Sequence, residues 1–319
     1  MTLLSAIDRF FYPPAPAARL GAVRVAAGAF ALIYLLARAG PFLSVASYAP
    51  RLFDPVGPVA LLEAPLPAPL AHALFALTVV LAVPFALGFK YRVVGPLFAL
   101  LLLWETSYRS SWGMKFHTEN LLALHVLLLG FAPAADALSL DAQRRTPASA
   151  SGAPAGAAPA EPHGRYGWAL RALCLVTIVT YVLAGLAKIR NSGWDWADGE
   201  ILRTHIAYDN VRKLELGSWH SPLGAALVPH AWLFPPLAWT SLLLELGAPL
   251  ALLGRTAARI WALGVWAFHV GVLLLMAIAF PYPLSFVAFV PFFPVERWLE
   301  RPRVRAVVQR AQALLPRWK

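Results

Sequence analysis

Stretches of about twenty apolar residues recur from one end of this chain to the other, and nothing else in it constrains the fold so tightly. That is the length an α-helix needs to cross the hydrocarbon of a bilayer, where every backbone N–H and C=O must be satisfied within the segment itself. The runs give eight spans, at about 20–39, 69–88, 93–108, 118–137, 168–188, 231–253, 256–280 and 281–295. Composition agrees: 59% of the 319 residues are hydrophobic and 13% charged, where soluble domains carry about a quarter charged. A closed barrel is excluded, because its strands would alternate apolar and polar residues and these runs do not. The expected fold is all-α, a polytopic helical membrane protein of about eight transmembrane helices.

The loops set the expected topology. Arg9 and Arg19 precede span one, Lys90 and Arg92 join spans two and three, Arg144, Arg145 and Arg165 lie between spans four and five, and Arg255 and Arg259 join spans six and seven. The tail adds seven more cations, from Arg297 to Lys319. Every even-numbered connection and both termini are therefore basic, while the odd connections are neutral, mixed or too short to count. The positive-inside rule then places both ends in the cytoplasm of a multi-pass cell-membrane protein. The eighth span is short and broken by Pro283 and Pro291, and a re-entrant eighth segment would move the tail outside. The net charge of +11 is accounted for by these loops, so nucleic acid is not an expected partner; the bilayer is. The lone Cys174 allows no internal disulfide, and no cleavable signal peptide is expected in Met1–Arg19, which mixes prolines and both charges.

The segment 146-TPASASGAPAGAAPAEPHG-164 is a low-complexity linker without core-forming residues. It suggests four parts: a first four-span half over 1–141, the linker at 142–165, a second four-span half over 166–295, and a basic tail over 296–319. Both halves would begin and end inside, so the inverted repeat of transporters is not indicated. Apolar stripes in each terminal segment (Leu3, Leu4, Ile7, Phe10 and Phe11; Val304, Val307, Val308, Ala311, Leu314 and Leu315) predict amphipathic helices on the membrane surface.

The polar residues inside apolar runs are the candidates for chemistry. Lys188 closes span five in 181-YVLAGLAKIRNSGWDWADGE-200, followed by the only long outer loop, Ile189 to Gly224. Two readings compete. Lys188 can snorkel, its stem in lipid and its ammonium in water among the tryptophans of the headgroup belt. Alternatively, it can serve as a base: Tyr181, Gly185 and Lys188 share one helix face, the glycine admits a close neighbour, and a lysine short of water gives up its proton more readily. Span four opens from the same side with 115-KFHTENLLALHV-126, where His117 and Asn120 share a face and His117 comes to roughly the depth of Lys188, while His125 lies deeper. Glu245 and His269 lie well inside spans six and seven at depths differing by roughly 8 Å, so they could pair across the two helices, as a structural bond or a functional one. Arg24 and Glu105 are further inner polar contacts. Metal binding has little support: no HExxH is present and the histidines are scattered.

Several of these stretches together resemble one family. The run 19-RLGAVRVAAGAFALIYLL-36, the 54-DPVG-57 turn, the His117-containing start of span four, 137-ALSLD-141, and above all 181-YVLAGLAKIRNSGWDWADGE-200, are similar in order and spacing to the horizontally transferred transmembrane domain (HTTM) family. So are 242-LLLELGAPLALL-253 and 268-FHVGVLLLMAIAFPYPLSF-286. This domain also forms the membrane part of vitamin K-dependent gamma-carboxylases. In those enzymes a lysine at the position of Lys188 is regarded as the base that deprotonates vitamin K hydroquinone, and the histidine matching His117 assists it. Oxygenation of the quinol then yields a strong base that removes a proton from a glutamate γ-carbon, to which carbon dioxide adds. The resemblance implies catalytic roles for Lys188 and His117 and a reduced quinone with O2 and CO2 as cofactors, held near Tyr181, Gly185 and Asn120; Arg24, Glu245 and His269, from their place inside apolar runs, are expected to be structural polar residues.

One departure tempers this. The carboxylases carry a large extramembrane region that grips a peptide substrate, whereas this chain ends about 24 residues after span eight. Two functions are therefore expected to compete: a quinol-dependent carboxylase- or epoxidase-like enzyme, and a non-catalytic accessory protein in the maturation, export or immunity of a secreted peptide. A small-solute transporter ranks below both.

Overall fold

The computed structural model describes residues 3–113, 118–145, 161–299 and 301–302. The chain forms two compact units, residues 1–173 with 293–319, and residues 174–292. Among the described residues no strand occurs, and four helices are long and apolar enough to cross a membrane: Ala17–Ala37, Ala68–Leu87, Gly164–Asp198 and Arg255–Met276. The chain is a polytopic helical membrane protein.

In the first unit, a short amphipathic helix α1 (Leu3–Phe11) leads into α2 (Ala17–Ala37), which packs with α3 (Ala68–Leu87), α4 (Tyr91–Arg109) and α5 (Asn120–Phe131). Helix–helix association in lipid relies on close packing more than on burial of apolar area, and small residues permit it. Gly95 of α4 and Gly130 of α5 meet this way: a Cβ on Gly95 would lie 2.8 Å from the Gly130 carbonyl oxygen, and one on Gly130 would lie 2.6 Å from the Gly95 oxygen. The turn between α3 and α4 is tied down by Asp141, whose carboxylate accepts from the backbone N–H groups of Lys90 (2.9 Å) and Tyr91 (2.8 Å). These are donors that the first turn of α4 cannot use internally. The 137-ALSLD-141 stretch thus ends on a helix cap.

Arg19, at the start of α2, grips Glu296 with Nε at 2.8 Å and Nη2 at 2.5 Å. Ala15 and His163 exchange backbone hydrogen bonds. The starts of α2 and α6 (Gly164–Ser192) and the segment around Glu296 therefore meet on one side of this unit. Burial alone would raise the Glu296 carboxyl, but the bonds from Arg19 outweigh it and hold the group below the usual range. A depressed folded-state value means that the stabilisation is complete above the unfolded value of about 4.3 and is lost as pH falls through the lower folded one. Melting in detergent should accordingly be flat from neutral pH down to about 5 and drop below about 4. Glu296→Gln should remove part of that acid sensitivity at a cost of about 1 kcal/mol near neutrality.

The second unit holds the rest of α6, a 3-10 turn at Gly193–Asp198, α7 (Glu200–Glu215), α8 (Pro222–Leu227), α9 (Phe234–Leu246) and α10 (Arg255–Met276). Its small apolar core joins Trp196, Ala238 and Leu242, with Ile189, Ile201 and Leu246 packed around them.

Three expected spans differ at their ends, each at a proline. The run expected at 118–137 is helical only over Asn120–Phe131, because Ala132 precedes Pro133 and adopts the extended backbone that a following proline imposes. The run at 231–253 is α-helical over Phe234–Leu246 and continues as a 3-10 helix over Ala248–Leu252, where Pro249 cannot donate to an α-helical ladder. The run at 281–295 is not one helix: Pro281–Leu284 and Val287–Phe292 are separate turns, with Phe286 between them at φ +66°. The tail stripe from Val304 and the linker at 146–160 lie outside the described residues.

Candidate functional site

The stripe read along one face of α6 is the spine of a polar cluster in the second unit. Tyr181 and Gly185 are buried, and Lys188 follows where the helix nears its end. Gly185 lies against α9, where a Cβ would come 2.8 Å from Leu246 Cδ2 and 3.0 Å from Glu245 Cβ. That close approach brings Glu245 to Lys188. The lysine Nζ donates to both carboxylate oxygens at 2.6 Å, with side chains 19% and 5% exposed. Two rings flank the ammonium: Trp196 at 4.9 Å and Phe268 at 5.4 Å from ring centre to Nζ. Trp196 is itself fixed by donating from Nε1 to Ser241 Oγ at 3.1 Å.

Two turns deeper, the Tyr181 hydroxyl and His269 Nε2 share a hydrogen bond of 2.7 Å. Around them stand Trp261, 5.5 Å from the Tyr181 ring centre, and Phe280, 5.0 Å from that of His269. His269 Nδ1 is buried and has no hydrogen-bond partner among the described residues. Glu245 and His269 therefore do not bond to each other across α9 and α10, as their depths had suggested. Each takes a residue of α6 instead, because α6 supplies a hydroxyl and an amine two turns apart and the imidazole and the carboxylate are offset by a similar rise. The free snorkelling reading of Lys188 gives way as well, since its ammonium is held by a carboxylate.

The first unit carries a second polar cluster that sequence reasoning missed. Glu119, immediately before α5, is buried and accepts from Tyr34 Oη at 2.5 Å, from Thr118 Oγ1 at 2.9 Å and from Arg109. Arg109 also lies 5.1 Å over the Phe42 ring. The available signal was a glutamate inside KFHTENLL and an arginine closing an apolar run, each too costly at such a position without a partner. Asn120, the next residue, is exposed at the start of α5. His117 lies outside the described residues. Arg24 is fully buried, donates to Ala134 O at 3.0 Å and to Leu138 O, and lies 5.7 Å over the Tyr91 ring. Its part is to satisfy carbonyls left open past the end of α5. His125, also buried, contacts Leu173 O at 3.2 Å through Nε2.

The family model of the HTTM domain matches residues 12–298. The chain belongs to the HTTM-domain family. No curated protein and no solved structure matches it. The matched range takes in both polar clusters of this HTTM-domain protein, and among the described residues no group of three metal-binding side chains is found.

The second unit's cluster suits one kind of ligand chemistry. An amine beside a carboxylate can exchange a proton with a hydroxyl, and a buried imidazole nitrogen without a partner among the described residues is a place where a ligand oxygen or a water can bond. The residues present can thus exchange a proton with a buried hydroxyl.

Proposed function

We propose that this HTTM-domain protein is a quinol-dependent membrane enzyme of the carboxylase or epoxidase type, with Lys188 as the base. The observation that carries the reading is the Lys188–Glu245 pair, set between the Trp196 and Phe268 rings at the end of an apolar helix. A reduced quinone, when bound, supplies the electrons that activate O2 and so the strong base that such a carboxylation requires. The chain's own residues would do the rest. Lys188 would first hand its ammonium proton to the Glu245 carboxylate, which holds it nearby, and the neutral amine left behind would then take the hydroxyl proton. Tyr181 and Gly185 line the same face of the helix. The membrane orientation follows the charge rule, with both termini cytoplasmic and Lys188 facing away from the cytosol.

The decisive variant is Lys188→Arg. Arginine keeps the charge and the carboxylate contact but does not supply a neutral amine. Incorporation of labelled bicarbonate into membrane or secreted peptides, with and without added reduced quinone, should be lost in Lys188→Arg at undiminished membrane yield. Normal incorporation in that variant would end the base role.

A second reading has its own support. The bidentate grip of Glu245 on Lys188 is what a purely structural clamp between α6 and α9 would use. In an accessory protein for a secreted peptide, Lys188→Arg would be silent, whereas loss of either partner would lower the folded yield.

A further inference from the structure

The stretch between α6 and α9, expected as the long outer loop, is folded onto the end of a spanning helix. Ile206, Asp209 and Asn210 form the inward face of α7. Asn210 Nδ2 donates to Leu275 O at 3.2 Å, Lys213 Nζ donates to Met276 O and, at 3.3 Å, to Ala277 O, and Ser221 Oγ donates to Leu274 O. These carbonyls close α10, where no further helical turn remains to donate to them and where a cation is favoured by the helix dipole. Because α10 is long and apolar enough to cross a membrane, its C-terminal end falls at the edge of the hydrocarbon. A helix clamped across that end lies at the same depth.

The outward face of α7 carries exposed apolar side chains along its second half, with exposed Glu200 and Glu215 at its two ends. Tyr208, Val211 and Leu214 follow one another at i, i+3 and i+6 and are 66%, 54% and 54% exposed. His205 and Arg212 occupy the adjacent sector of the helix. Trp194 and Trp219, exposed before and after α7, are the residue type that collects at the headgroup level. We propose that α7 lies flat in the membrane interface, with Tyr208, Val211 and Leu214 among the upper acyl chains and Arg212 toward the lipid phosphates. The depth set by the end of α10 selects phospholipid as the occupant. A soluble peptide would meet this face only by displacing the lipid already at that level.

The test places a single environment-sensitive fluorophore on Val211→Cys, Leu214→Cys or His205→Cys, each in a Cys174→Ala background, in nanodiscs of mixed phosphatidylcholine and phosphatidylglycerol holding one copy each. All three side chains are exposed, so folding should be unaffected. At 211 and 214, phospholipid with a nitroxide at the headgroup should quench several times more strongly than aqueous iodide, and at 205 the order should reverse. Iodide reaching 211 and 214 as readily as 205 would overturn the proposal. Protection from iodide without quenching by the nitroxide lipid would also overturn it, since a protein partner would then cover the face.

Discussion

Glu245→Ala should destabilise the protein by about 3 kcal/mol, measured as the loss of thermal or denaturant stability in detergent. The carboxylate is almost fully buried and is the acid that holds the Lys188 ammonium. Removing it leaves a cation against Trp196 and Phe268 with its hydration already surrendered. Breaking one side of such a pair costs far more than the pair is worth, because the loss is dominated by the uncompensated charge. The double variant Lys188→Met with Glu245→Leu should therefore recover most of the loss, since a packed apolar pair of similar volume carries no such charge. A freely snorkelling lysine predicts something quite different, with Glu245→Ala changing stability by only about 1 kcal/mol through its own desolvation and the second substitution restoring nothing. The comparison of single and double variants thus decides whether the clamp is real, independently of any activity.

Gly88→Val should cost about 4 kcal/mol, enough to abolish folded protein in a marginal background. Gly88 ends α3 at φ +63°, a conformation in which a β-branched residue is strained by about 1–2 kcal/mol. A Cβ there would also run into the guanidinium of Arg24 and the side chain of Ser139, and overpacking of that kind adds about 1–3 kcal/mol. Arg24 has nowhere to retreat, since it is fully buried and is already bonded to Ala134 O and Leu138 O. Gly88→Ala should show roughly half the effect. A Gly88→Val protein that melts within about 1 kcal/mol of the parent would mean that this corner is not packed as described.

The spans were legible where the apolar run and the helix coincide, as for α2, α3, α4, α6 and α10. They were less so at Pro133, Pro249 and Pro283, because hydropathy sums over side chains and does not register a missing N–H. At the site, the Tyr181–Gly185–Lys188 stripe could be read from helical spacing alone, since all three residues lie on one helix. Glu245 and His269 could be recognised as needing partners, yet the pairing read from their depths was not the one formed. Depth along a helix constrains who can meet; it does not say which third helix stands between. The Glu119–Arg109–Tyr34 cluster was missed because its members come from three separate elements, and no spacing rule connects them.

What the sequence determined by itself is what the bilayer enforces. An excess of apolar residues in lengths of about twenty leaves helices as the only way to satisfy the backbone, and the placing of Lys188, Glu245 and His269 in or at the end of such runs is carried by residue identity. What only the tertiary structure decided is the partner of each buried charge and the docking of α7 across the end of α10. Those depend on side chains from different helices arriving within about 3 Å of each other. That distance is set by close contacts such as Gly185 against Leu246, and no single segment encodes it.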